Sequence, residues 1–148
     1  MPPSFFLSVG SNVQPEKNIP ASLAELRKHF KVRKISAVYE TDPVGPAGDQ
    51  KFWNLAVEIE TALDRDGLRR KLTEIETRLG RIRSRNKFAP RTIDLDILPA
   101  PGYQEQAFIM IPLAEIAPEA KDPESGKKFR EIADGLKMQT DGFRKIPR

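Results

Sequence analysis

Asp94 and Asp96 stand two residues apart in Arg91-Thr92-Ile93-Asp94-Leu95-Asp96-Ile97-Leu98, directly after a stretch from Arg78 to Arg91 that holds six cations and no acid. In an extended strand successive side chains alternate faces, so Ile93, Leu95 and Ile97 would point into a core while both carboxylates share the opposite face. Hard oxygen ligands of this kind suit Mg²⁺, which keeps several waters and is held by one or two carboxylates together with substrate phosphates. Paired acids beside a cationic stretch therefore point to a divalent metal and a polyphosphate.

Little else in the chain could bind a metal or activate a nucleophile. It has no Cys and a single His, His29, which excludes zinc sites of the usual nitrogen and sulfur kind. A Ser/His/Asp hydrolase would depend on that same His, which falls near the end of a predicted helix with no motif around it, as a surface helix residue would.

The elements that must position the acids follow from apolar spacing. Phe5 to Val9 reads as a buried strand closed by Gly10-Ser11-Asn12, a turn of short polar groups that could leave the backbone open to a ligand. Ile19, Leu23, Leu26 and Phe30 recur at helical steps. A second strand is expected over Val32 to Tyr39, and the Pro- and Gly-rich run from Thr41 to Gly48 should be an irregular loop. Trp53, Leu55, Val57 and Ile59 alternate with polar neighbours as a half-buried strand that sets Phe52 and Asn54 on the face opposite Trp53. Leu68, Leu72, Ile75 and Leu79 mark a second helix, with Asp64 or Asp66 to cap its start and Gly80 to end it. The basic loop from Arg81 to Arg91 leads into the Asp94/Asp96 strand, which Pro99, Pro101 and Gly102 break. Phe108 to Leu113 is expected as one more strand. Residues 119–148 are expected as an irregular tail with a short helix around Phe129 to Leu136.

This β-α-β-β-α-β order, in one domain over 1–148, predicts a ferredoxin-like α+β sandwich: a mainly antiparallel sheet with helices packed on one face. At 148 residues such a domain buries about 70% of the surface its unfolded chain exposes, enough for a core and a shaped cleft. The start of the chain has no basic region and too short an apolar run for a signal peptide, and no later segment approaches a membrane span. A cytoplasmic protein is expected. The formal charge of +4 and pI near 9.4 favour anionic partners.

With these residues in place, the chain resembles the 6-hydroxymethyl-7,8-dihydropterin pyrophosphokinase family, folate-pathway enzymes that move a diphosphate from ATP onto a pterin alcohol. The most specific part is Lys87-Phe88-Ala89-Pro90-Arg91-Thr92-Ile93-Asp94-Leu95-Asp96. Supporting it in order are Ser8-Val9-Gly10-Ser11-Asn12, Ser36-Ala37-Val38-Tyr39-Glu40-Thr41-Asp42-Pro43, Phe52-Trp53-Asn54, Ile75-Glu76 with Gly80-Arg81, and Pro112-Leu113-Ala114-Glu115-Ile116-Ala117-Pro118. The likeness departs at two points. Only Ile97 to Ala107 separates the Asp-x-Asp strand from the segment carrying Phe108, shorter than is usual in the family and without a His, and Ser84 stands where a basic residue is common.

The resemblance implies that Asp94 and Asp96 hold two Mg²⁺ ions bridging the ATP phosphates, while Arg81 and Arg91 neutralise charge on the transferred group. It implies further nucleotide contacts from Glu76, Arg83, Lys87 and Ile97. The pterin would lie against Phe108 and Phe52, with Phe88 as a closing plate, Asn54 bonding the ring edge, and Thr41, Pro43 and Val44 offering backbone contacts. By the same resemblance the partners are the small molecules ATP and the hydroxymethyl dihydropterin, with no nucleic acid or membrane, and the chain acts as a monomer. These residue types suit the reaction, because positioning and charge stabilisation carry most of a phosphoryl-type transfer and Arg forks grip phosphates bidentately. Two rivals remain: a pterin-binding relative without ATP turnover, and an RNA-binding module of the same β-α-β-β-α-β order. The latter calls for paired aromatics in a basic Gly-rich context, and the chain has no such run.

Overall fold

The computed structural model describes residues 3–42, 51–81, 92–140 and 142–147. The elements run β1 (Ser4–Ser11), α1 (Pro15–His29), β2 (Lys31–Ile35), β3 (Val38–Thr41), β4 (Phe52–Glu60), α2 (Arg65–Arg78), β5 (Asp94–Leu98), α3 (Ala107–Ile116), α4 (Phe129–Gly135) and β6 (Arg144–Ile146), with 3₁₀ turns at Tyr103–Glu105 and Lys137–Gln139. Every strand pairing is antiparallel. The sheet order is β5-β1-β4-β3-β6, with β2 also pairing with β4.

Nine-residue β4 is the axis of the sheet, because β2 and β3 both pair along the same side of it. The single strand expected from Val32 to Tyr39 is therefore two. The break falls at Ser36, whose N–H donates to the Ala56 carbonyl while its hydroxyl accepts from the Ala56 N–H, each at 2.9 Å. A side chain thus replaces one rung of the backbone ladder, and the chain bends there.

The two helices read from apolar spacing form as expected. Pro15 opens α1 at its first turn, where a missing N–H costs nothing. Asp64 Oδ1 caps α2 by accepting from the Gly67 N–H at 2.8 Å. Both helices pack on one sheet face, where Ile19, Leu26, Leu68, Leu72 and Ile75 meet Leu7, Val9, Leu55, Val57, Ile59, Leu95 and Ile97. Each such side chain contributes about 1.5–3 kcal/mol by leaving water. Trp53 joins this layer, its indole N–H donating to Glu40 Oε2 at 2.9 Å.

The segment expected as a strand at Phe108 to Leu113 is instead the helix α3. With α4 it covers the opposite sheet face, where Tyr103, Met110, Leu113 and Phe129 pack against Phe6, Ala56 and Leu98. The sheet thus carries helices on both faces rather than one, within the expected α+β class. Beyond Pro118, α4 lies where a short helix was expected, and β6 adds an edge strand to β3. His29 is exposed. Among the described residues no helix is long and apolar enough to cross a membrane.

Candidate active site

Asp94 and Asp96 take the alternation their spacing predicts. Ile93, Leu95 and Ile97 are buried, whereas Asp94 is half-buried and Asp96 exposed. Register with β1 sets Gly10 opposite Asp94 and Ser8 opposite Asp96. Gly10 is in turn opposite Asn54 on β4, and Asn54 opposite Tyr39 on β3. Asp94, Gly10 and Asn54 therefore form one cross-strand row on the α3 face. Two strand spacings, roughly 10 Å, separate its ends.

Arg81 is placed by the end of α2. Gly80, at φ 96, lets the chain close a Schellman motif in which the Gly80 N–H donates to the Thr77 carbonyl and the Arg81 N–H to the Glu76 carbonyl, each at 3.0 Å. From there Arg81 Nη1 donates to Glu76 Oε2 at 2.7 Å and to Asp94 Oδ1 at 2.8 Å. Glu76 is only 3% exposed, and the same Oε2 accepts from the Leu95 N–H at 2.7 Å. A carboxylate this buried is tolerable because it is paired and bonded. It ties α2, Arg81 and the backbone of β5 into one unit.

A cavity of about 420 Å³ lies along the open edge of β5, lined by Arg69, Leu72, Thr73 and Glu76 of α2, by Arg81, and by Asp94 to Ile97. The four α2 residues fall at i, i+3, i+4 and i+7, one stripe of the helix. That stripe is a signal the sequence carried for Arg69 and Thr73, neither of which was singled out. Ile97 buries its side chain in the core, so it meets the cavity along the strand edge.

On the other side of the row, Asn54 is buried and Phe52 half-buried opposite Thr41. A Cβ on Gly10 would stand 2.7 Å from Asn54 Oδ1, so the amide lies directly against the β1 backbone. Phe108 sits in the first turn of α3, half-buried on the same sheet face. Pro43, Val44, Arg83, Lys87, Phe88 and Arg91 lie outside the described residues, as does most of the basic loop. Among the described residues no group of three or more acids or imidazoles gathers as a metal cage. The donor set that is present, two carboxylates on one strand face, is the kind that holds Mg²⁺ jointly with water and phosphate.

A six-stranded antiparallel sheet between helical layers, with paired acids and an Arg at its open edge, defines an α+β sandwich. A family model described as 7,8-dihydro-6-hydroxymethylpterin-pyrophosphokinase (HPPK) matches residues 6–118. The chain belongs to that family. Among its relatives is a Bacillus subtilis protein named 2-amino-4-hydroxy-6-hydroxymethyldihydropteridine pyrophosphokinase, 38% identical over 75% of this chain and 76% of that one. A Pseudomonas aeruginosa protein of the same name is 31% identical over 96% of each chain. The fold also matches wild-type Plasmodium falciparum HPPK-DHPS solved with pteroate, at a TM-score of 0.79 and 13% identity, covering 99% of this chain. This chain spans 48% of that longer protein. The order of motifs in the chain and its α+β fold agree with that membership.

Proposed function

We propose that this chain transfers a diphosphate from ATP to the hydroxymethyl oxygen of 6-hydroxymethyl-7,8-dihydropterin, releasing AMP. The pterin oxygen attacks the β-phosphorus, the bond from that phosphorus to the AMP oxygen breaks, and the hydroxyl proton leaves to water. The observation that carries this reading is the row Asp94–Gly10–Asn54, with Arg81 on Asp94, because it joins a phosphate-handling end to an amide-reading end on one rigid sheet face.

Asp94 and Asp96 would hold two Mg²⁺ ions, whose chemistry is to polarise the phosphate and ease loss of the hydroxyl proton. Arg81, with Arg91, Arg83 and Lys87, supplies cations to the phosphates, and the forked guanidinium fixes orientation as well as charge. Glu76 serves the nucleotide side by holding Arg81, and Ile97 by lending strand edge to the cavity. Asn54 reads the pterin edge with both amide functions, while Phe52 and Phe108, together with Phe88, offer stacking faces. Thr41, with Pro43 and Val44, would offer backbone contacts to the same ring.

The test is to incubate the chain with 6-hydroxymethyl-7,8-dihydropterin, ATP and Mg²⁺ and to assay AMP and pterin diphosphate. Pterin-dependent AMP release is expected, and Asp96→Ala should abolish it while circular dichroism stays native. Pterin binding without any AMP would leave a binding protein in place of a transferase.

A further inference from the structure

Ser11 is the last residue of β1 and has no exposed surface. A buried hydroxyl has to spend its proton on an acceptor, and two carbonyls lie within reach: Thr92 at 2.6 Å and Val13 at 3.1 Å. The Val13 carbonyl already accepts from Asn18 Nδ2 at 2.5 Å. Between them Gln14, in the left-handed region at φ 41, is the N-cap at which the chain turns into α1. A carbonyl can accept twice, so Val13 is not closed to Ser11; the shorter contact makes Thr92 the principal acceptor.

The consequence is long-range. Ser11 and Thr92 are 81 residues apart, and Thr92 lies between Arg91 and the Asp94/Asp96 pair in the chain. The ladder between β1 and β5 has its last rung at Gly10 and Asp94, and the first residue of a strand frays unless something beyond it is held. We infer that Ser11 is a positioning residue: by clamping the Thr92 carbonyl it pins the entry to β5 and thereby the placement of the Asp94 carboxylate. This rests on the reading of Asp94 and Asp96 as the divalent-cation pair. It also gives Gly10-Ser11 a division of labour, Gly10 admitting Asn54 on one face and Ser11 anchoring β5 from the other.

Ser11→Ala in the full chain tests it. A carboxylate pair that wanders should lower kcat roughly 10–100-fold and raise the Mn²⁺ concentration for half-saturation several-fold, read by electron paramagnetic resonance with a non-hydrolysable ATP analogue. The pterin Kd, measured by calorimetry, should stay at the wild-type value because Asn54 is untouched. Unchanged kcat and Mn²⁺ binding per folded molecule would overturn the inference and leave Ser11 a packing residue. Should Ser11→Ala not fold, Ser11→Cys keeps the shape with a far weaker donor, and the same split is expected. If the wild type itself makes no AMP, the proposed function falls, while the Mn²⁺ titration still decides the role of Ser11.

Discussion

Arg81 and Asp94 are joined by a 2.8 Å bond from Nη1 to Oδ1, so a guanidinium sits on the carboxylate that a divalent ion would use. Both side chains are mostly shielded, at 16% and 17% exposure, which makes the contact stronger than a surface pair. Glu76 grips the same Arg81 nitrogen. In the proposed function, a divalent cation held by Asp94 would compete with Arg81 for that carboxylate, and Glu76 would still hold Arg81 nearby.

Arg81→Ala should act in opposite directions on two measurements. Removing a competing positive charge tightens divalent binding at Asp94, seen as a lower half-saturating Mn²⁺ concentration. Removing a group that stabilises charge developing during transfer lowers kcat, on the order of 10²-fold. Loss of kcat together with weaker Mn²⁺ binding would contradict the competition.

Glu76 carries a structural cost that Arg81 does not. In Glu76→Ala the buried Leu95 N–H loses its acceptor, which should reduce unfolding free energy by ~1–3 kcal/mol. Urea titration checks this as a lower midpoint at constant slope. Glu76→Gln keeps an oxygen for Leu95 and should recover most of the stability, but not kcat, since the neutral amide holds Arg81 less firmly. Equal stability losses in both variants would mean that the charge, not the Leu95 bond, matters.

The positions best legible in the sequence were those where one apolar face alternates with water. Ile93, Leu95 and Ile97 against Asp94 and Asp96 marked the strand and the face its acids take, and Leu68, Leu72 and Ile75 marked α2. The run Ala107 to Leu113 has no polar side to set a period, because α3 is enclosed between the sheet and α4. An apolar run of that length reads equally as buried strand or buried helix. Strand β6 was missed for the opposite reason: Arg144 and Lys145 on a short edge strand look like a solvated tail. Asn54 and Arg81 could be named from the sequence for their own chemistry. Ser11, Arg69 and Thr73 were not assigned, since their roles depend on which distant element they face.

Gly10 offers a way to disturb Asn54 without touching it. The Cβ of Gly10→Ala would meet Asn54 Oδ1 at 2.7 Å, closer than side chains approach, but that oxygen ends a side chain that can swing aside. Stability should therefore change little, while pterin Kd rises roughly tenfold, the worth of one lost hydrogen bond at a buried site. Asn54→Ala should do the same, and the double variant should be no worse than either alone. Calorimetry with the pterin decides it; additive losses would separate the two residues.

A second buried pair makes the stability of the fold depend on pH. Tyr103 donates to Asp122 Oδ1 at 2.6 Å and the Ser125 N–H to Oδ2 at 2.9 Å, with Asp122 only 1% exposed. The Tyr103 bond, then the Ser125 bonds, hold the Asp122 carboxyl below its ordinary 3.8 against the opposing effect of burial. Burial first, and Asp122 second, push the Tyr103 phenol well above its ordinary 10.0. A lowered acid stabilises the fold above its unfolded value, and that contribution is lost as pH falls below 3.8. A raised phenol stabilises below its unfolded value, and that contribution is lost as pH climbs past 10. Tyr103→Phe removes the phenol's contribution and the Tyr103 share of the Asp122 shift, leaving the Ser125 bonds, so its melting temperature should trail the wild type across the neutral range and the gap should narrow at either extreme. Taking the difference between the two proteins cancels every other titrating group, including Tyr39, whose phenol is raised in the same way by burial and Glu115. A gap that stays constant from acid to alkaline pH would mean the ring, not the hydroxyl on Asp122, is what Tyr103 contributes.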